Sequence, residues 1–247
     1  MNTRILLEAA YDGTDLHGFA FQEGVRTVEG ELNKAVSDLC GKNIAVIGAS
    51  RTDTGVHALK NIAVFDSPMN IDEKKYAYAL NVRLPEDIRI RRSCSVKDDF
   101  HPRKCDTEKT YRYTILNDEF DEPVRSRYTH FVPYKLDENA MERAAVSLIG
   151  EHDFKAFCSV HTQALSTVRT VYSIDISRAG NEIAITVKGG GFLYNMVRII
   201  AGTLIEVGRG ALPEEKVRDI LESRDRTKAG PTAPAKGLCL VDIKFRE

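Results

Sequence analysis

Three observations in the sequence predict an α+β fold built in two halves. The first half runs strand-helix-strand-strand-helix-strand, and the second repeats that type of pattern. Its amphipathic stretches carry helix start and stop signals. A polar loop flanked by glycines, near residue 50, separates two apolar runs that read as buried strands.

Residues 4–11 alternate loosely between apolar and polar and read as a strand. Thr27 stands as the N-cap of a helix, with Glu29 and Glu31 in its first turn, where the helix dipole favours acids. Val28, Leu32, Val36 and Leu39 follow at helical spacing, and Gly41 marks the stop. Strands are expected over 44–48 and 61–66, a helix from Asp72 to Leu80, and a strand from Asp87 to Val96. This order is that of a ferredoxin-like (RRM-like) unit.

In the second half, 109–116 and 127–132 read as strands. Asp137 caps a helix with Ala140, Met141, Ala144, Ala145 and Leu148 on its apolar side, ending at Gly150. Strands follow over 168–178 and 182–188. Asn195 to Val207 reads as an apolar, buried helix, and Pro213 begins a more polar one with Val217, Ile220 and Leu221 inward. Leu238 to Phe245 forms the last strand. The junction lies near Cys105-Asp106, dividing the chain into 1–105 and 106–247. No Gly/Ser-rich linker marks it, so two tightly packed halves with a ligand cleft between them are expected.

The 247 residues suffice for a sizeable core, and 43% hydrophobic with 29% charged residues is a soluble globular composition. No apolar run approaches the roughly 20 residues that span a bilayer. The N-terminus leads straight into a strand pattern without a signal-peptide core, so a cytoplasmic location is expected. Cys40, Cys94, Cys105, Cys158 and Cys239 are scattered without a C-x-x-C pair, which points to reduced thiols, not a disulfide framework or zinc site. A net charge of -1 does not announce a nucleic-acid binder. The local run from Arg83 to Arg127 holds eleven Lys and Arg, enough for a basic face inside a neutral total, or for solvated strands offset by nearby acids.

The loop Gly48-Ala49-Ser50-Arg51-Thr52-Asp53-Thr54-Gly55-Val56-His57 places Arg51 two residues from Asp53. A carboxylate presented this way can act as nucleophile or base, and a nearby guanidinium holds it ionised. The same pair also serves to close a loop. His17, His57 and His101 lack a third ligand at metal spacing, so they orient loops or contact phosphates, and no metal is expected. Arg198 stands alone on the apolar stretch Met196-Val197-Arg198-Ile199-Ile200. A buried guanidinium there needs an anionic partner, either Asp53, a substrate phosphate or a structural acid. Arg169 is a weaker candidate of the same kind.

The loop resembles the active-site loop of the tRNA pseudouridine synthase A family, whose usual form is G-R-T-D-A-G-V-H. Five further stretches are similar to that family's motifs in the same order. They are Tyr11-Asp12-Gly13-Thr14 with His17-Gly18-Phe19 and Gln22; Asp99-Phe100-His101-Pro102-Arg103; Lys109-Thr110-Tyr111-Arg112-Tyr113; Gly191-Phe192-Leu193-Tyr194-Asn195-Met196-Val197-Arg198 with Gly202-Thr203-Leu204; and Ala233-Pro234-Ala235 with Gly237-Leu238. The ordered set covers nearly the whole chain.

The resemblance implies a tRNA-modifying isomerase that converts uridine to pseudouridine in the anticodon stem-loop, acts as a homodimer and uses no cofactor. Its fold would be two ferredoxin-like halves around a mixed, mainly antiparallel sheet with a central active-site cleft. It implies that Asp53 is the essential catalytic residue, with Arg51 holding it anionic through a bidentate pair. Tyr111 matches the active-site tyrosine, whose ring stacks on an extruded uracil and whose hydroxyl donates or takes a proton. Tyr113 does not match and is assigned to packing. Arg198, Arg169 and His57 are assigned to substrate binding. Ser50, Thr54 and Phe19 depart from the usual glycine, alanine and tryptophan, and Phe21 stands near a position often basic or polar. These departures motivate one alternative, a paralogue with a shifted RNA target. A non-catalytic RNA-binding module and a hydrolase using Asp53 and His57 are the others.

Overall fold

The computed structural model describes residues 3–160 and 164–246. The chain forms two compact units, Met1–Asp106 with Leu240–Glu247, and Thr107–Cys239. Both are α+β, and every strand pairing described below but one is antiparallel.

In the first unit β1 (Thr3–Tyr11) leads to α1 (Val28–Cys40), β2 (Ile47–Gly48), β3 (His57–Ser67), α2 (Lys75–Asn81) and β4 (Ile88–Ser95). The sheet runs β4-β1-β3, with β2 also on β3. The central strand β1 buries Ile5, Leu7, Ala9 and Tyr11. The expected caps of α1 are in place: the Thr27 hydroxyl accepts from the Gly30 N–H, and Gly41 closes the helix at φ 66°. The strand expected over 44–48 shrinks to two residues. The amides of Ile44 and Val46 donate to Ser37 Oγ (2.9 Å) and Asn33 Oδ1 (2.7 Å) of α1, so those groups are not available to a ladder. Helix α2 starts later than Asp72, which instead accepts from the Lys74 and Lys75 amides in a preceding turn. The outer edge of β4 is guarded by side chains. Asn81 both donates to Ile90 O (2.9 Å) and accepts from its N–H (2.8 Å), and Glu73 accepts from the Ser95 N–H (2.8 Å).

In the second unit β5 (Thr107–Leu116), β6 (His130–Phe131), α3 (Glu138–Ala145), β7 (Gly150–Asp153), β8 (Val168–Ala179), β9 (Glu182–Gly189), α4 (Met196–Gly208) and α5 (Lys216–Ser223) follow. The sheet runs β5-β9-β8-β7, and β6 lies parallel to β5. The strand expected over 127–132 is cut to β6, because the chain before it turns: Arg125 N–H donates to Glu122 O and Tyr128 N–H to Arg125 O. Asp137 caps α3 as expected, accepting from Asn139 and Ala140. Helix α5 begins past Pro213, which ends in a turn closed by Lys216 N–H. The sequence reading missed β7. Its residues Gly-Glu-His-Asp show no strand pattern, and pairing with β8 alone makes them one.

The last strand, β10 (Leu238–Phe245), lies next to β3, and residues 240–247 belong to the first unit. The second half is therefore not the continuous stretch 106–247 expected from sequence. Lys60 pairs with Asp242 at 2.8 Å, Phe100 meets the Phe245 ring edge-on at 5.1 Å, and Arg246 N–H reaches Asp106 O at 3.0 Å, drawing this end of the chain back. Among the described residues no helix is long and apolar enough to cross a membrane.

Helix α4 is buried along nearly its whole length, and the segment 230–233 lies against its middle. A Cβ on Gly202 would sit 1.9 Å from Pro231 O, and the Thr203 hydroxyl accepts from Gly230 N–H at 2.9 Å. We predict that Gly202→Ala forces these backbones apart and costs about 1–3 kcal/mol, the range for overpacking. Thermal unfolding checks this, and an unchanged Tm would contradict the close approach.

Candidate active site

The polar loop joins β2 to β3, and its support comes from the two N-terminal motifs. Thr52 is held at both its carbonyl and its hydroxyl. Its carbonyl accepts from Phe19 N–H (3.0 Å), and its Oγ1 lies 2.7 Å from the Tyr11 hydroxyl. Asn61 on β3, fully buried, donates to Tyr11 Oη (3.0 Å) and to Ser50 O (2.8 Å). On the other side of Asp53, Gly55 N–H donates to Leu16 O (3.2 Å) and Val56 N–H to Asp53 O (3.1 Å). Gly18, at φ 86°, lets this approach happen: a Cβ there would stand 2.8 Å from Thr52 O. Gly13 is tighter still, with a Cβ position 2.1 Å from Val56 O. The motif Tyr11-Asp12-Gly13 and the motif His17-Gly18-Phe19 are thus the bed on which the loop lies.

The result is a loop whose backbone is fastened on either side of Asp53. Thr52 and Val56 are buried, Asp53 is half-buried, and Arg51 and Thr54 are exposed. The expected bidentate pair between Arg51 and Asp53 does not form. Among the described residues Arg51 makes no ion pair, because Thr52 turns inward between them and leaves the guanidinium on the solvent side. His57 is also not where a phosphate would find it. It is only 6% exposed, and its Nδ1 lies 3.0 Å from the Gly13 N–H and 3.1 Å from Asp12 Oδ1. A ring nitrogen that accepts from Gly13 cannot also donate to Asp12. We favour the acceptor role, since Asp12 already receives the Thr14 N–H and hydroxyl. His57 therefore orients the Asp12-Gly13 turn. Of the sequence departures, Phe19 and Ser50 are buried within this support, and only Thr54 reaches solvent.

In the second unit Tyr111 sits on β5 opposite Val187 of β9, and the Phe192 ring meets it edge-on at 5.3 Å. Phe192 in turn lies against Gly189, whose Cβ would be 3.0 Å from that ring. Two residues on, Tyr113 is fully buried, donates to Pro234 O at 2.9 Å, and has its phenol pKa pushed up by burial. It packs, as assigned.

Arg198 on α4 does not have the acidic partner the sequence called for. Its Nε donates to Ala233 O (2.7 Å) and its Nη1 to Asn195 Oδ1 (2.8 Å), so neutral oxygens hold a half-buried cation. Arg169, opposite His152 at the start of β8, donates to Ser166 O (2.9 Å) and Val168 O (2.6 Å) and fastens its own turn. Burial lowers its pKa. Among the described residues no three His, Cys, Asp or Glu side chains gather as a metal site. Sequence reading passed over Asn61, Phe192 and Asn195. Asn61 left one signal, a polar amide at the edge of the apolar run Ile62-Ala63-Val64-Phe65.

Comparison with known proteins agrees across the chain. A family model described as tRNA pseudouridine synthase matches residues 8–103 and 144–246. The tRNA pseudouridine synthase A of Thermoanaerobacter sp. (strain X514) is 46% identical over 241 residues, covering 98% of this chain and 99% of the relative. That of Brevibacillus brevis is 45% identical over 242 residues, with the same coverage of 98% and 99%. A solved structure, a Cbf5-Nop10-Gar1 complex, gives a TM-score of 0.33 at 12% identity over 82% of this chain and 54% of that chain, too slight a likeness to bear on the fold.

The hydroxyl of Tyr11 joins Asn61 to Thr52, so Tyr11→Phe should leave buried polar groups short of a partner. We predict a loss of about 1–3 kcal/mol, read from urea unfolding midpoints. A variant as stable as wild type would mean that the loop is held without this hydroxyl.

Proposed function

This chain belongs to the tRNA pseudouridine synthase family, and on that premise we propose that it isomerises uridine to pseudouridine in the anticodon stem-loop of tRNA. The N-glycosidic bond breaks, the uracil turns over, and its C5 joins the same ribose carbon. C5 loses a proton and N1 gains one, so the reaction is redox-neutral and needs no external oxidant or reductant. The observation that carries the reading is the loop fastened on both sides of Asp53, which holds one carboxylate at a fixed place with little freedom to relax. Asp53 acts as the catalytic carboxylate. The exposed Arg51 keeps the RNA backbone and the carboxylate in its field. Tyr111, braced by Phe192, offers its ring to the extruded uracil and its hydroxyl to the proton transfers. Extrusion costs a few kcal/mol, least at loop and weakly stacked positions, which suits a stem-loop target.

Each unit is proposed to be ferredoxin-like. The reading is supported by crossovers that skip a strand: α2 links β3 to β4 across β1, and α3 lies between β5 and β8 in sequence, strands that flank β9. A cytoplasmic homodimer follows from the resemblance and is tested by sedimentation. A shifted RNA target would have to act through Thr54, the one departure at the surface of the loop.

Asp53→Asn should abolish pseudouridine formation while tRNA affinity stays near wild type, because affinity is spread over many phosphate contacts. Turnover at near wild-type rate by this variant would rule out the assigned role. Tyr111→Phe should keep the stacking face and bind RNA nearly as well. Its single-turnover rate should fall about 10²–10⁴-fold, the usual worth of a positioned acid or base. An unchanged rate would reduce Tyr111 to a stacking platform.

A further inference from the structure

Among the described residues Asn195 and Arg224 are the non-glycine residues with positive φ, and Asn195 stands at 60°. It immediately precedes α4, at the place where an asparagine ordinarily takes extended backbone and accepts a hydrogen bond from the first helical turn. Asn195 does neither: its backbone is left-handed and its side chain makes no bond to the helix amides. The amide is directed elsewhere. Its Oδ1 accepts from Arg198 Nη1 at 2.8 Å, and its Nδ2 donates to Ser159 Oγ at 2.8 Å. The Ser159 N–H donates to Tyr194 O at 3.2 Å, so the turn before the helix is tied to the same residue. A helix start that gives up its cap and holds an uncommon backbone conformation is the kind of strain that persists where a side chain must be aimed.

The side chain being aimed is Arg198. Ala233 O takes its Nε at 2.7 Å, and Ala233 N–H donates back to Arg198 O at 3.2 Å. Two guanidinium nitrogens therefore rest on neutral oxygens, while among the described residues Nη2 has no hydrogen bond and no ion pair neutralises the charge. A planar cation gripped on two sides, with one nitrogen open, is prepared for an anionic oxygen. We propose that Asn195 is a positioning residue that acts through Arg198, locking the guanidinium so that Nη2 meets a phosphate of the bound tRNA beside the target uridine. The inference rests on the synthase reading above.

The test is a double-mutant cycle on the full chain. Asn195→Gly keeps the left-handed backbone, which glycine adopts freely, and removes only the amide. Its Tm should stay near wild type, while kcat/KM falls about tenfold to a hundredfold, the loss expected of one hydrogen bond to a charged group. Arg198→Lys removes Nη1, so Asn195→Gly placed on that background should change the rate less than about twofold. The cycle is read on single-turnover rates with excess enzyme and, separately, on tRNA affinity by filter binding. Equal losses in both backgrounds would show that Asn195 works independently of Arg198, and a wild-type rate for Asn195→Gly would remove it from the site; either overturns the inference. A wild-type protein that forms no pseudouridine would sink the synthase reading instead, so the two failures are distinguishable.

Discussion

The amide of Asn61, shut off from solvent on β3, donates one hydrogen to the Tyr11 hydroxyl and the other to the Ser50 carbonyl, and its oxygen accepts from the Ile62 N–H. Three of its four hydrogen-bonding positions are filled. Leaving any of these groups alone in the interior would cost about 1–3 kcal/mol. The amide therefore couples the end of β1, the start of the loop and the course of β3 into one arrangement. Tyr11 passes the constraint to Thr52, and Thr52, turned inward, leaves its neighbours Arg51 and Asp53 on the outer side. The carboxylate's place is set by residues that never touch substrate.

The second unit reaches the same end by different means. Helix α4 has almost no polar surface, so its one cation has to be accommodated by what surrounds it. The segment that lies on the helix supplies the acceptors: Ala233 takes the Arg198 Nε and Pro234 takes the Tyr113 hydroxyl. That segment can come close only because the helix has Gly202 where it crosses. The motif around Gly202 and the motif around Ala233-Pro234, separate in the chain, are two sides of one contact. Holding a guanidinium on neutral oxygens preserves its charge, whereas an acid in the same place would cancel it.

These supports explain why so many of the motif residues are buried. His57, Phe19, Tyr11 and Gly13 carry the sequence resemblance as strongly as Asp53 does, yet each lies beneath the loop or behind it. An activity that depends on one carboxylate held still needs a large, specific bed. Substitutions at Phe19 and Ser50 change that bed, and their effect on chemistry would pass through the fit of the loop, not through contact with RNA.

The sequence by itself determined whatever depends on near neighbours. Helices α1 and α3 were legible because cap and apolar stripe lie within a few residues of each other, and Thr27, Gly41 and Asp137 act where their spacing placed them. The loop around Asp53 was legible as a site because glycines and apolar runs bracket it locally, and the family was legible because its motifs recur in order. Tertiary structure decided the rest. Strand β7 exists only through β8, and the expected strand at 44–48 gave way because α1 side chains took its amides. Arg51 and Asp53 are two residues apart yet unpaired with each other, and Arg198 is held by neutral oxygens instead of an acid. The final residues join the first unit through Lys60 and Phe100. The physical reason is common to all of these. A hydrogen bond or ion pair between distant residues is chosen by which donor and acceptor the packed core brings within 3 Å or so, and spacing along the chain carries no record of that choice.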